Sequence, residues 1–159
     1  MLKLLTIILG IIVILQISAL KSEPQDAMPA VTMQTKEFVL GIFFKANWYR
    51  AMQFCRFHGM HLASIESQLE HVAIVGLIMD YNMKNDEFWV SGNDLASAGN
   101  FSWMGNGQPL TYMNWYAGEP NNIGEERCVL LWSRNVGSAD RLWWNNSNCT
   151  DEHYFVCEE

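Results

Sequence analysis

The sequence predicts an α+β domain, and three observations carry that reading. Apolar residues recur at three- and four-residue spacing over two stretches of the first half, about 47–57 and 67–79. Beyond Gly92 that period disappears, and Gly, Asn and Pro recur every few residues between short aromatic runs. The chain has 159 residues, half of them hydrophobic, with seven Trp, eight Phe and five Tyr. That is enough apolar bulk for one domain with a sizeable core and too little for two. Two helices followed by a loop-rich β half make the class α+β.

The elements follow in order. Met1-Leu2-Lys3 is a short positive start, Leu4 to Leu15 is almost wholly apolar, and Gln16 to Ala19 supplies a polar break and a small residue. Residues 1–19 therefore read as a secretory signal peptide. A signal anchor is the competing reading, but Gln16 and Ser18 interrupt a stretch already at the lower edge of what spans a bilayer. Residues 20–37, with Pro24 and Pro29 and no apolar period, read as a flexible leader. The folded domain is expected over 38–159.

Phe38 to Phe44 is a strand candidate. Asn47 can cap a helix to about Phe57, with Trp48, Ala51, Met52 and Cys55 on one face and Gly59 at its end. A short strand, Met60 to Ile65, follows. Ser67-Gln68-Leu69-Glu70 forms a capping box, and Leu69, Val72, Ala73, Gly76 and Leu77 are expected to be the buried stripe of the second helix. Phe88 to Gly92 reads as a core strand.

Several function classes fall away. The net charge is −7 and the basic residues are scattered, which leaves no patch for nucleic acid. Cys55, His58 and His61 have a zinc-like spacing, but the set has no fourth member. His71 and His153 have no Ser or Cys partner pattern, and no G-x-S-x-G element occurs. The chain is expected not to be an enzyme. Four cysteines at 55, 128, 149 and 157 in a secreted chain imply two disulfides, with three pairings open. N-glycosylation sequons begin at Asn100, Asn145 and Asn148, and Asn100 and Asn148 are the candidate acceptors.

Oxygen-bearing side chains crowd two short segments between Gly118 and Cys149, and such hard ligands on loops suit calcium better than zinc. The ordered motifs around them resemble the C-type lectin-like domain family. The resemblance rests on Asn47-Trp48 with Cys55, His61-Leu62-Ala63-Ser64-Ile65, Trp89-Val90-Ser91-Gly92 and Asn114-Trp115. It continues through Glu119-Pro120-Asn121, Trp144-Asn145-Asn146 and Phe155-Val156-Cys157-Glu158. It implies the C-type lectin-like fold: two helices, antiparallel sheets, a long loop region and two disulfides, Cys55–Cys157 and Cys128–Cys149.

The resemblance also implies a calcium (Ca2+) site with Glu119, Asn121, Glu126, Asn145 and Asn146 as ligands. Pro120 would be a cis proline that points Glu119 and Asn121 the same way, a form cheap only before proline. Glu119, Asn121, Glu126 and Asn145 would bond the sugar as well, and Ile123 could pack on its C–H face. The family's Glu-Pro-Asn form favours equatorial hydroxyls, as in mannose, glucose and fucose. Where the family has Trp-Asn-Asp this chain has Asn146, which removes one carboxylate and implies a calcium affinity at the weak end of the ~10⁻⁴–10⁻³ M range. Asp94 could serve an auxiliary site, but Ala98 and Arg127 stand where carboxylates are expected, so one site is predicted.

The expected function is therefore that of a secreted, calcium-dependent lectin for mannose-type glycans, as in innate defence, extracellular and free of the membrane after signal cleavage. The alternative is a calcium-independent domain that binds protein or another surface through a degenerate sugar site. A glycan on Asn145 would favour that alternative by blocking the pocket.

Overall fold

In the computed structural model, residues 36–133 and 142–159 are described; the expected signal peptide and nearly all of the expected leader lie outside them. The strands are β1 (Phe38–Ala46), β2 (His61–Leu62), β3 (Phe88–Asn93), β4 (Ser102–Trp103), β5 (Glu126–Trp132), β6 (Trp143–Asn148) and β7 (His153–Glu158). The helices are α1 (Trp48–Phe57) and α2 (Gln68–Asp80). The long path of the sheet runs β1-β7-β3-β5-β6, with β2 beside β7 and β4 beside β3. The β3–β7 pairing is parallel, so the sheet is mixed.

Both helix starts are fixed by local chemistry. Asn47 Oδ1 accepts from Arg50 N at 2.9 Å, and Ser67 Oγ accepts from Glu70 N at 3.2 Å. Each bond satisfies a backbone donor that the first turn leaves without a partner. The face of α1 is the one its spacing predicts, with Trp48, Ala51 and Cys55 buried. The face of α2 is not. Leu69 is 71% exposed and Val72 57%, while His71, Ile74 and Ile78 are buried. Between Leu69 and Met79 this helix is apolar on nearly every side, so spacing cannot choose a face. Contact with the core chooses it.

Indole N–H groups tie the layers together. Trp48 Nε1 donates to Val90 O at 2.8 Å, joining α1 to β3, and Trp89 Nε1 donates to Ala46 O at 3.0 Å, joining β3 to β1. These buried donors would each cost about 1–3 kcal/mol if left unpaired. Gly41 lets β1 cross the ring of Phe155, which a Cβ there would strike. The disulfides are Cys55–Cys157, which ties α1 to the last strand across 102 residues, and Cys128–Cys149, which spans 21.

Beneath the loop region lies an aromatic floor. Trp144 is fully buried and takes edge-on contacts from Trp103, Tyr112 and Trp115 at centroid distances of 5.4, 5.5 and 5.7 Å. Its backbone is held on both sides. It pairs with Leu131 of β5, and on the other edge Trp144 N donates to Asn114 O while Tyr116 N donates to Trp144 O, both at 2.9 Å. That second pairing delivers the chain after Tyr116 to the end of β6 where Asn145 and Asn146 stand.

Candidate carbohydrate and cation site

The loop between Tyr116 and β5 is shaped by short-range bonds. Glu119 N donates to Tyr116 O at 2.9 Å, and the Glu119–Pro120 peptide is cis. Glu119 Oε1 accepts from Asn121 Nδ2 at 2.9 Å and Oε2 from Asn121 N at 3.0 Å. Asn121 Oδ1 accepts from Ile123 N at 2.9 Å. Asn122 follows with φ of 52°, a left-handed conformation that Asn tolerates, and Gly124 completes the turn at +66°.

Asn146 joins this loop to β5. Its Nδ2 donates to Glu126 O at 2.8 Å and to Asn122 Oδ1 at 2.7 Å, and its Oδ1 accepts from Asn121 N at 3.3 Å. The carbonyl of Glu126 decides the orientation of the amide, because only the NH₂ end can face it. The residue is fully buried. The sequence offers it as a weakened ligand; the structure also makes it a staple. Its partner Asn122 is a site residue that the sequence reading missed, and the only available signal was the Asn121-Asn122 pair beside the proline.

Asn145 takes no part in that hydrogen-bond network among the described residues. It alternates with Asn146 on β6 and is half-buried. Its Oδ1 and the Oε2 of Glu126 are buried oxygen atoms without hydrogen-bond partners among the described residues. The carboxyl of Glu126 is held above its ordinary value, first by burial and then by the charges of Glu119 and Asp151, with the N–H of Ile123 opposing. A carboxylate oxygen and an amide oxygen, both buried and unpaired among the described residues, beside a second carboxylate are the chemistry of a site for a hard cation. Among the described residues no group of three or more His, Cys, Asp or Glu side chains is placed to hold a metal ion, so any cation at this pair draws its other oxygens from carboxamides and backbone.

The remaining candidates separate clearly. Ile123 is 70% exposed at the tip of the loop. Asp94 pairs with Arg127 Nη1 at 3.3 Å and accepts from Gly99 N at 2.7 Å, so a guanidinium supplies the positive charge there. Asn100 is exposed, and its Nδ2 donates to Ser97 Oγ at 2.9 Å. Asn148 is half-buried, and its Oδ1 accepts from Thr150 N and Oγ1. His58 lies exposed at the end of α1 and Cys55 is oxidised, so these two do not form a zinc site.

The model of the lectin C-type domain matches residues 44–159, from the end of β1 through the aromatic floor and both oxygen-rich segments. The chain belongs to this C-type lectin family. It is 36% identical over 118 residues to salivary C-type lectin 2 of Aedes albopictus, which covers 71% of this chain and 77% of that one. Among solved structures it is similar to the C-type carbohydrate-recognition domain of cow CD23 crystallised with a GlcNAc2Man3 oligosaccharide. That match has 30% identity and a TM-score of 0.61, and covers 78% of this chain and 85% of that one. A calcium-independent type II antifreeze protein matches at 26% identity and a TM-score of 0.65, with the same two coverages of 78% and 85%. The family is one of carbohydrate-binding proteins and not of enzymes, as the sequence led us to expect.

Proposed function

We propose that this C-type lectin domain binds terminal mannose-type sugars through calcium held by Glu119, Asn121, Glu126, Asn145 and Asn146. The observation that carries the proposal is the pair of buried oxygens, Glu126 Oε2 and Asn145 Oδ1, that lack partners among the described residues beside the carboxylate of Glu119. Burial of unpaired oxygen costs about 1–3 kcal/mol per group, a cost that a cation removes. All candidate donors are oxygens, as calcium prefers.

The chain's own residues have distinct tasks. Glu119 and Glu126 supply the negative charge and accept hydrogen bonds from sugar hydroxyls. The amides of Asn121 and Asn145 donate to those same hydroxyls. Asn146 holds the loop against β5 through its two N–H contacts, and Ile123 offers an exposed apolar edge to the sugar's C–H face. Bound there, calcium supplies coordination positions that two adjacent hydroxyls can complete. With two carboxylates the affinity belongs at the weak end of the ~10⁻⁴–10⁻³ M range of extracellular modules. The same proposal takes residues 1–19 as a signal peptide, 20–37 as a leader, the product as secreted, and Asn100 as a glycan acceptor.

Retention on immobilised mannose and galactose, with calcium and then with chelator, tests the reading. Calcium-dependent retention on mannose alone is expected; equal retention with chelator present would sink it. A second reading, a calcium-independent protein- or surface-binding domain, is favoured by one observation. The Asn146 amide is already engaged by protein partners, since its N–H groups bridge Asn122 and Glu126. A glycan found on Asn145 in the peptide spanning 142–150 would decide for that reading.

A further inference from the structure

Beside the proposed site, across the backbone of Glu125 and Glu126, lies a separate cleft of about 290 Å³. Tyr49, Leu95, Glu125, Arg127, Asn148 and Thr150 line it. We infer that this cleft is a second saccharide subsite, which takes the neutral hexose next to the terminal sugar. The inference rests on the function proposed above.

The cleft is built rather than incidental. Tyr49, at the start of α1, is 42% exposed, and its ring stands edge-on against Trp48 at 5.5 Å, which gives a fixed apolar platform. Arg127 is anchored through Nη1 to Asp94, whose side chain is fully buried, while a third of the Arg127 side chain stays open. Its other N–H groups remain to donate. Asn148 Oδ1 is engaged by Thr150 N at 3.0 Å and Thr150 Oγ1 at 2.8 Å, which leaves the NH₂ end of the amide as its donor. Glu125 is exposed and accepts. The floor is rigid, because Trp48 N donates to Cys149 O at 3.0 Å and Cys149 is bridged to Cys128. An aromatic face with a few fixed donors and acceptors is the composition of a small-molecule site, and its preorganisation lowers the cost of binding.

Position and charge name the ligand. Glu126 pairs with Asn148 across β5 and β6, so the residue that serves the first site stands opposite a wall of the cleft. On that function, a glycan whose terminal sugar sits at Glu119 and Glu126 would carry its next residue over this edge. Acidic sugars are disfavoured, because Arg127 is already neutralised by Asp94 while Glu125, Glu126 and Asp151 are close by. A hexose presents a C–H face to Tyr49 and hydroxyls to Arg127 and Glu125.

Titration calorimetry of the full chain secreted from insect cells, in saturating calcium, tests this with methyl α-mannoside and α-linked mannotriose. Wild type is expected to bind the mannotriose about tenfold more tightly, with Tyr49→Ala reducing that ratio to about twofold and Tyr49→Phe retaining it. A wild-type ratio near one, or a ratio that Tyr49→Ala leaves unchanged, overturns the subsite and leaves the lectin reading intact. Tighter binding of a sialylated glycan than of the mannotriose overturns the neutral chemistry. An N-glycan found on Asn148 overturns the subsite, since the protein's own sugar would then fill the cleft. Failure of both sugars to bind overturns the proposed function and the subsite with it.

Discussion

Two carboxylate clusters in this domain meet the same electrostatic problem in opposite ways. Glu66, Glu70 and Glu158 surround Lys36, whose Nζ lies 2.7, 3.7 and 3.3 Å from them and also donates to Ser64 O at 2.9 Å. Burial pulls the ammonium of Lys36 down, but its bond to Glu66 and the charges of Glu158 and Glu70 outweigh that and raise it. Glu158 is raised as well, because its burial outweighs the help of Ser64 and Lys36. The pair is asymmetric: the deeper carboxylate bears more of the desolvation cost. In the second cluster Glu126 is raised by burial and by the charge of Glu119, and among the described residues no cation acts on it. Where the chain supplies its own cation the acids are structural. Where the described residues supply none, they are available to a ligand.

Substitutions can break that contrast. The largest effect is expected from Lys36→Met, which leaves three carboxylates around an empty centre; urea unfolding at neutral pH should show a loss of about 2–3 kcal/mol. Chelator should leave that loss unchanged, because this cluster's cation is covalent. Next comes Asn146→Asp. It replaces the two N–H contacts with oxygens that face Glu126 O and Asn122 Oδ1, at a cost of about 1–3 kcal/mol without calcium. The added carboxylate should tighten calcium binding, so thermal unfolding of this variant should become more calcium-dependent than that of wild type. An unchanged calcium affinity would show that Asn146 is not a ligand. Glu119→Gln should weaken calcium binding about tenfold with little loss of fold stability, as measured by calorimetry.

The smallest effect sharpens the contrast from outside both clusters. Burial holds the imidazole of His71 below its ordinary value of 6.5, although a bond to the Leu142 backbone opposes this. The unfolded chain therefore takes up a proton that the folded chain refuses. The contribution of His71 is complete above pH 6.5 and is lost as the pH falls below it. His71→Gln should flatten the dependence of Tm on pH below that point. An unaltered slope would place the acid sensitivity elsewhere.

Legibility in the sequence followed chemical contrast. Trp48, Ala51 and Cys55 stand out on α1 because their neighbours are polar, and Asn47 and Ser67 are caps because their oxygens reach donors three residues on. The C-type lectin-like fold and both disulfide pairings were legible only through the resemblance that the ordered motifs carry, since the cysteines by themselves leave three pairings open. Asn122 was not, since a second Asn after a proline motif has no signature of its own until Asn146 arrives across the sheet. Lys36 was assigned to the leader for the same reason: its three acids are remote in sequence and become neighbours only through tertiary packing.

By itself, then, the sequence determined the class of fold, the caps, the number of disulfides and the types of oxygen donor gathered near Glu119 and Asn146. These follow from local spacing and from residue chemistry that needs no distant partner. Only the tertiary structure decided which side of α2 is buried, which way the Asn146 amide turns, and which acids have a cation of their own. A uniformly apolar helix has no preferred face, an amide has two ends, and a carboxylate has no fixed charge partner until the rest of the chain closes around it.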